Sequence, residues 1–145
     1  MNFDNMRIKG VISAIDFTPS VCKWECRNRE THIIGVQTSG NAIHNLEIKE
    51  IILKENCIFF LNQKDDYSVY MREMGISYSI HFTTYEPILT DSFSIQIKDI
   101  TPIINTIKKI ERLKSVDSYE DLSWMSNMYK LCFDFSQILN KKYSK

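Results

Sequence analysis

The chain has 145 residues, of which 43% are hydrophobic and 25% charged, and its eighteen Lys and Arg balance its eighteen Asp and Glu to zero net charge. That is long enough for one domain with a packed core and too apolar for a disordered segment. It also argues against a domain that grips DNA by itself, which carries a basic excess or a basic face.

The opening "MNFDNMRIKG" has no apolar core of a signal peptide and reads as an N-terminal arm, Met1 to Gly10. Short runs rich in β-branched and aromatic residues follow: "GVISAIDF", "HIIGVQT", "AIHNLEI", "EIILK", "NCIFFLN", "YSVYMR", "ISYSIHFTT" and "FSIQI". Their spacing is that of a sandwich or barrel, with polar turns between the runs. "TSGN" and "LEIKE" read as hairpin turns, with Gly40 supplying a positive φ in the first. Strands without intervening helices predict an all-β unit, closed or two-sheeted, over residues 1–98.

From Asp99 the period changes to that of a helix. Thr101 and Pro102 read as N-cap and first helical residue, followed by the stripe Ile103, Ile104, Ile107, Ile110 and Leu113. "SVDSYEDL" starts a second helix, with Asp117 and Glu120 spaced as a capping box. Leu122, Met125, Tyr129, Cys132, Phe135, Ile138 and Leu139 run down it, widened by Trp124, Met128 and Leu131. Reaching Lys141, it would be ~36 Å long at 1.5 Å per residue. So apolar a pair needs partner surface: part against the β unit, the rest against another protein.

Cys22, Cys26, Cys57 and Cys132 lack the second pair of a zinc ribbon, so the expectation is an intracellular, cytoplasmic protein with free thiols. Apolar runs such as "CIFFL" are too short to span a bilayer. "CKWEC" has the look of a redox pair only weakly, and "KDD" (Lys64 to Asp66) reads as a solvated turn. No P-loop, nucleophile elbow or dinucleotide fingerprint is present, and Ser39 before Gly40 has no histidine and acid at a recognisable spacing.

The chemistry-bearing residues are the three histidines and the polar positions of the strands. His44, Glu47 and His81 are the one set able to form a facial metal triad, the basis of an alternative as a small metal-dependent enzyme. The plainer assignment puts His32 and His44 at strand ends and His81 inside as a hydrogen-bonded residue. An eight-strand barrel closes around side chains or one small ligand. Positions expected to face such an interior are Trp24, Gln37, Ser39, Tyr67, Tyr70, Ser77, Ser79 and His81. In "SYSIHF", Ser77, Ser79 and His81 share one face while Tyr78, Ile80 and Phe82 share the other. A packed interior would take the apolar set, and a polar ligand the Ser, Ser, His set.

The run from Arg29, "R-x2-HIIGVQTSGNAIHNLEIKEIILKENCIFFLN", with its close in "SYSIHF", resembles the amino-terminal cupin-like domain of AraC-type transcription regulators. The order carries the resemblance: a strand ending at Gly40, a second turn, an apolar strand, a late "Y-x-I-H-F", then two helices, spanning Arg29 to Leu139. It implies a mainly β protein, a cupin-like β-barrel (double-stranded β-helix, or jelly roll) followed by an antiparallel helix pair. It further implies an effector-sensing and dimerisation domain, not an enzyme, with no cofactor and a small-molecule effector in the barrel. Residues 99–145 would be the dimerisation element of a homodimer, with Trp124, Met128, Leu131, Phe135 and Ile138 at its seam. The family's Pro-Gly-Asp turn is replaced here by Glu55-Asn56-Cys57. Its basic sugar-binding position is Ser39, and its late-strand aromatic and histidine fall at Ser79 and Ser77. The family's DNA-reading helices are absent after "NKKYSK", so DNA would be reached only through a further domain.

Overall fold

Strands apolar on one face and strands apolar on both have different neighbours, and this divides the β region into two sheets. The computed structural model describes residues 2–3, 5–114 and 121–143. Its strands are β1 (Ile8–Phe17), β2 (Lys23–Cys26), β3 (His32–Gln37), β4 (Asn41–Leu46), β5 (Glu50–Lys54), β6 (Cys57–Leu61), β7 (Tyr67–Glu73), β8 (Ser77–Thr84) and β9 (Phe93–Gln96). Two helices follow, α1 (Thr101–Lys114) and α2 (Asp121–Tyr143). All pairing is antiparallel, in a five-stranded sheet ordered β1-β8-β3-β6-β9 and a four-stranded sheet ordered β2-β7-β4-β5. Among the described residues no strand of one sheet pairs with a strand of the other, so the expected barrel is seen as two facing sheets without closure.

Every residue of β3 and β6 is buried, because the five-stranded sheet is covered on both sides. Ile34, Val36, Ile58, Phe60, Ile80 and Phe82 form one core with Ile103, Ile107, Ile110, Met128, Leu131 and Phe135 of the helices. On the other side Ile33, Phe59 and Leu61 form a second core with Ala42, Leu53, Tyr67, Val69 and Met71 of the four-stranded sheet. The outer face of that sheet meets water, so β5 alternates buried and exposed along "EIILK". The order of layers is helices, five-stranded sheet, four-stranded sheet.

"LEIKE" is the expected hairpin, joining β4 to β5 with Leu46 N–H donating to Lys49 O at 2.8 Å. "TSGN" is not one. It joins β3 to β4, which lie in different sheets, so the turn is a corner between layers. Gly40 does have φ +82° there, and its Cα packs against Gly75, where a Cβ would come within 2.6 Å of it. Asn28 and Asn56 also take left-handed backbone, at φ 52° and 64°. Asparagine tolerates that conformation better than other side chains do.

The helix seam expected at Trp124, Met128, Leu131, Phe135 and Ile138 is occupied by the chain's own core. The first four are at most 7% exposed, and Ile138 is half-buried against the same cluster. Leu122 and Phe133, at 86% and 62%, lie on the solvent side of α2. The N-terminal arm is likewise tied down. Phe3 is 2% exposed, its ring centroid 4.9 Å from Phe60, 5.7 Å from Phe93 and 6.2 Å from Phe135. Ile8 N–H donates to the Tyr129 hydroxyl at 2.8 Å, binding the start of β1 to α2. At α1 the leading amide, Thr101 N–H, is capped by Asp99 Oδ1 at 2.9 Å, two residues before the expected cap. The capping box at Asp117 and Glu120 lies outside the described residues. No helix among the described residues is long and apolar enough to cross a membrane.

Candidate functional site

The second core is not filled. Between the sheets lies a cavity of about 190 Å³, bounded by side chains of both. An apolar cavity of ~150 Å³ is large enough to hold benzene. From the five-stranded sheet β8 contributes Ser77, Ser79 and His81, β3 contributes Ile33 and Gln37, and β6 contributes Phe59 and Leu61. Facing them are Trp24 and Cys26 of β2, Ala42 and His44 of β4, Leu53 of β5, and Tyr67 and Met71 of β7. Arg29 from the loop between β2 and β3, Phe17 of β1, Pro19 and Gly75 complete the wall.

The strand period places these residues. In β8 the apolar set, Ile80 and Phe82, turns to the helices and is fully buried, so Ser77, Ser79 and His81 turn to the cavity. Gly35 sits between Ile33 and Gln37 on that face, where a Cβ would come within 2.4 Å of Tyr78 O and 2.8 Å of Phe59 Cζ. Only a glycine lets the Phe59 ring lie over β3 at this register.

Six of the eight positions expected to face an interior line this cavity: Trp24, Gln37, Tyr67, Ser77, Ser79 and His81. The other two do not. Tyr70 is 42% exposed, because alternation along β7 turns Tyr67, Val69 and Met71 inward and Tyr70 outward, under the Lys23 ammonium. Ser39 is exposed in the corner after β3, where its hydroxyl accepts from Ile76 N–H at 3.1 Å and its carbonyl accepts from Gln37 Nε2 at 2.7 Å. It ties the β3–β4 corner to the β7–β8 turn.

His44 and His81 approach the cavity from opposite sheets, but Glu47 is exposed in the β4–β5 turn, so the metal triad of the alternative reading does not assemble. Among the described residues no group of three or more His, Cys, Asp or Glu side chains is arranged to hold a metal ion. His32 faces the helix side, between the rings of Phe60 and Phe82, and its Nδ1 accepts from Gln63 N–H at 2.9 Å. "KDD" is more than a solvated turn. Asp65 Oδ2 accepts from Ser92 Oγ at 2.6 Å and Asp66 Oδ1 accepts from Asn28 N–H at 2.8 Å.

The electrostatics of the cavity come from groups without full partners. His44 is 6% exposed, its ring lies 5.0 Å from that of Tyr67, and its Nδ1 has no hydrogen-bond partner. Burial lowers its pKa to about 4, the Ala42 backbone opposing this and the Arg29 charge adding a smaller push downward, so it is neutral at pH 7. His81 is lowered by the same causes. Burial raises the Tyr67 phenol, which stays protonated. Arg29 lies 5.0 Å over the Tyr67 ring, and its Nε is buried and unpaired. Arg29 and His44 line the cavity but were not among the positions expected to face an interior. The available signal was an arginine three residues ahead of a strand apolar on both faces.

An apolar space with a few convergent polar groups is the form of a small-molecule site. No protein-family model matches the chain, and no curated protein matches it.

Proposed function

We propose that the chain is a small-molecule-sensing module, the cupin-like regulatory domain of an AraC-type transcription regulator, whose effector enters the space between the sheets. One observation carries this reading. The polar Ser77, Ser79, His81 face of β8 is turned into a cavity while the apolar face of the same strand is packed on helices. A strand used only for stability would bury its polar face against partners and leave no space. The order of elements, nine strands over two facing sheets and then two helices, supports the family assignment.

An effector bound there bears on β8, and β8 bears on α1 and α2 through Ile80 and Phe82. Differential affinity for two helix positions is then the means of signalling. Pairing of two copies, the other part of this reading, uses the solvent side of α2 at Leu122 and Phe133, since the opposite side is buried within the chain.

The test is occupancy. Indole, a neutral probe of suitable size, is added to protein carrying a labelled methyl at Met71. We expect the Met71 signal to shift and the melting temperature to rise, since ligand at ~100 times its dissociation constant adds about 2.7 kcal/mol. A Met71 signal and a melting temperature unmoved by indole and by small apolar acids alike would sink the proposal.

A further inference from the structure

We propose that the effector is a monocarboxylate carried on an apolar body of one ring or a short chain, with its carboxylate held by Arg29. This rests on the cavity being a binding site and names the chemistry it selects. The guanidinium is fixed in place. Its Nη1 donates to Thr31 O at 2.8 Å, and its Nη2 donates to Asn62 O at 2.8 Å and to Asp65 O at 3.0 Å. Those bonds use three of five N–H donors, and every acceptor is a neutral carbonyl. Among the described residues no carboxylate lies within ion-pair distance of Arg29. The acidic side chains of the adjoining turn are engaged elsewhere, Asp65 with Ser92 and Asp66 with the Asn28 amide. The second Nη1–H and Nε–H remain, and Nε is buried and unpartnered.

A charge taken from water is ordinarily matched by an opposite charge or a full set of hydrogen bonds. Arg29 is partly buried, and at the wall of the apolar space its Nε–H has neither, so an anion with an acceptor oxygen would supply both. His44 supplies the second, independent sign of a ligand. It is buried, it lines the same space, and its Nδ1 is unpartnered. Both cavity imidazoles are neutral, so Arg29 is the only cation among the lining residues and a single negative charge balances it. A phosphate dianion would be left half neutralised among Phe59, Leu53 and Met71. The volume of about 190 Å³ sets the size of the apolar body.

The experiment is calorimetric titration of the whole chain at pH 7 with phenylacetate and hexanoate, with phenylacetamide and hexanamide as neutral counterparts. Phenyl phosphate and indole complete the set. We expect each carboxylate to bind roughly 10- to 100-fold tighter than its amide, as for a charge-assisted hydrogen bond. Arg29→Gln should abolish that preference while indole still binds. Because Arg29 also ties three carbonyls, the unsubstituted chain gives a second readout. Its Arg29 Nε–H resonance should move with phenylacetate and stay with phenylacetamide. Equal binding of acid and amide, an unmoved Nε–H, or phenyl phosphate binding as tightly as phenylacetate would each overturn the carboxylate assignment. Indole binding in those cases would leave the cavity itself standing, whereas failure of indole and of every acid would overturn both.

Discussion

The five-stranded sheet has two buried faces, and they are built differently. Toward the helices it presents Ile34, Val36, Ile58, Phe60, Ile80 and Phe82, all at 0% exposure, locked by Phe3 from the N-terminus. Toward the other sheet it presents Ile33, Gly35, Gln37, Phe59, Ser77, Ser79 and His81 around a cavity. The same strands supply both. Close packing is therefore a property of one face, and the chain concentrates its stability on the face away from the cavity. A cavity that leaves volume unfilled forgoes dispersion contacts, and a dense layer behind it offsets that loss.

The comparison breaks most readily at adjacent residues of β6. Phe60→Ala empties the helix side and should cost about 3–5 kcal/mol, whereas Phe59→Ala enlarges a space already present and should cost clearly less. Urea denaturation of both variants measures the difference, and equal losses would mean that the two faces are packed alike. Gly35→Ala tests the cavity face by addition. Its Cβ would meet backbone at Tyr78 O, which cannot swing aside, so a loss of about 1–3 kcal/mol is expected. An unchanged denaturation midpoint would show that β3 has slack at this point.

The extent to which this was legible in the sequence follows the same division. Strand positions were readable because β-branched runs and polar turns are local signals. The alternation in "SYSIHF" was readable too, but not which side faced the cavity, since both sides are covered and the cover for each comes from distant segments. For the same reason α2 looked over-supplied with apolar surface. Phe3 meets Phe135 from the far end of the chain, and no local pattern records that. The "TSGN" turn looked like a hairpin because a turn to a pairing strand and a turn to a facing sheet use the same residues. The place of Arg29 ahead of β3 was readable, but not its role, because its partners are carbonyls at Thr31, Asn62 and Asp65, and every residue has a carbonyl.

Acid should separate the faces next. The pKa of His44 in the folded chain is about 4, below the ordinary 6.5, so the unfolded chain binds more protons between those values. Stability contributed by keeping His44 neutral is therefore present above pH 6.5 and is lost as pH falls toward 4. A shift of that size amounts to roughly 3 kcal/mol at most. His32, also lowered to about 4 chiefly by burial, adds to the slope from the helix side. The depressed carboxyls Asp91 and Asp99 lose their stabilisation only below their ordinary value of 3.8, under this window. Urea midpoints between pH 7 and pH 4.5 should fall steadily, and His44→Gln should flatten the fall without abolishing it. An unaltered slope in that variant would place the cavity histidine in water.

Ser79→Ala carries the smallest effect on stability and the sharpest division between the faces. Ser79 is 5% exposed yet borders the cavity, so removing its hydroxyl adds only a little to a space already present. Its loss should change unfolding free energy by less than about 1 kcal/mol, while Ile80→Ala, one residue along and facing the helices, should cost about 2–5 kcal/mol. If the hydroxyl touches a bound effector, Ser79→Ala should also weaken that binding by a factor the stability measurement does not predict. Such a split, with binding changed and folding untouched, is what a residue held for recognition shows. A Ser79→Ala loss matching that of Ile80→Ala would instead make β8 a structural strand on both faces.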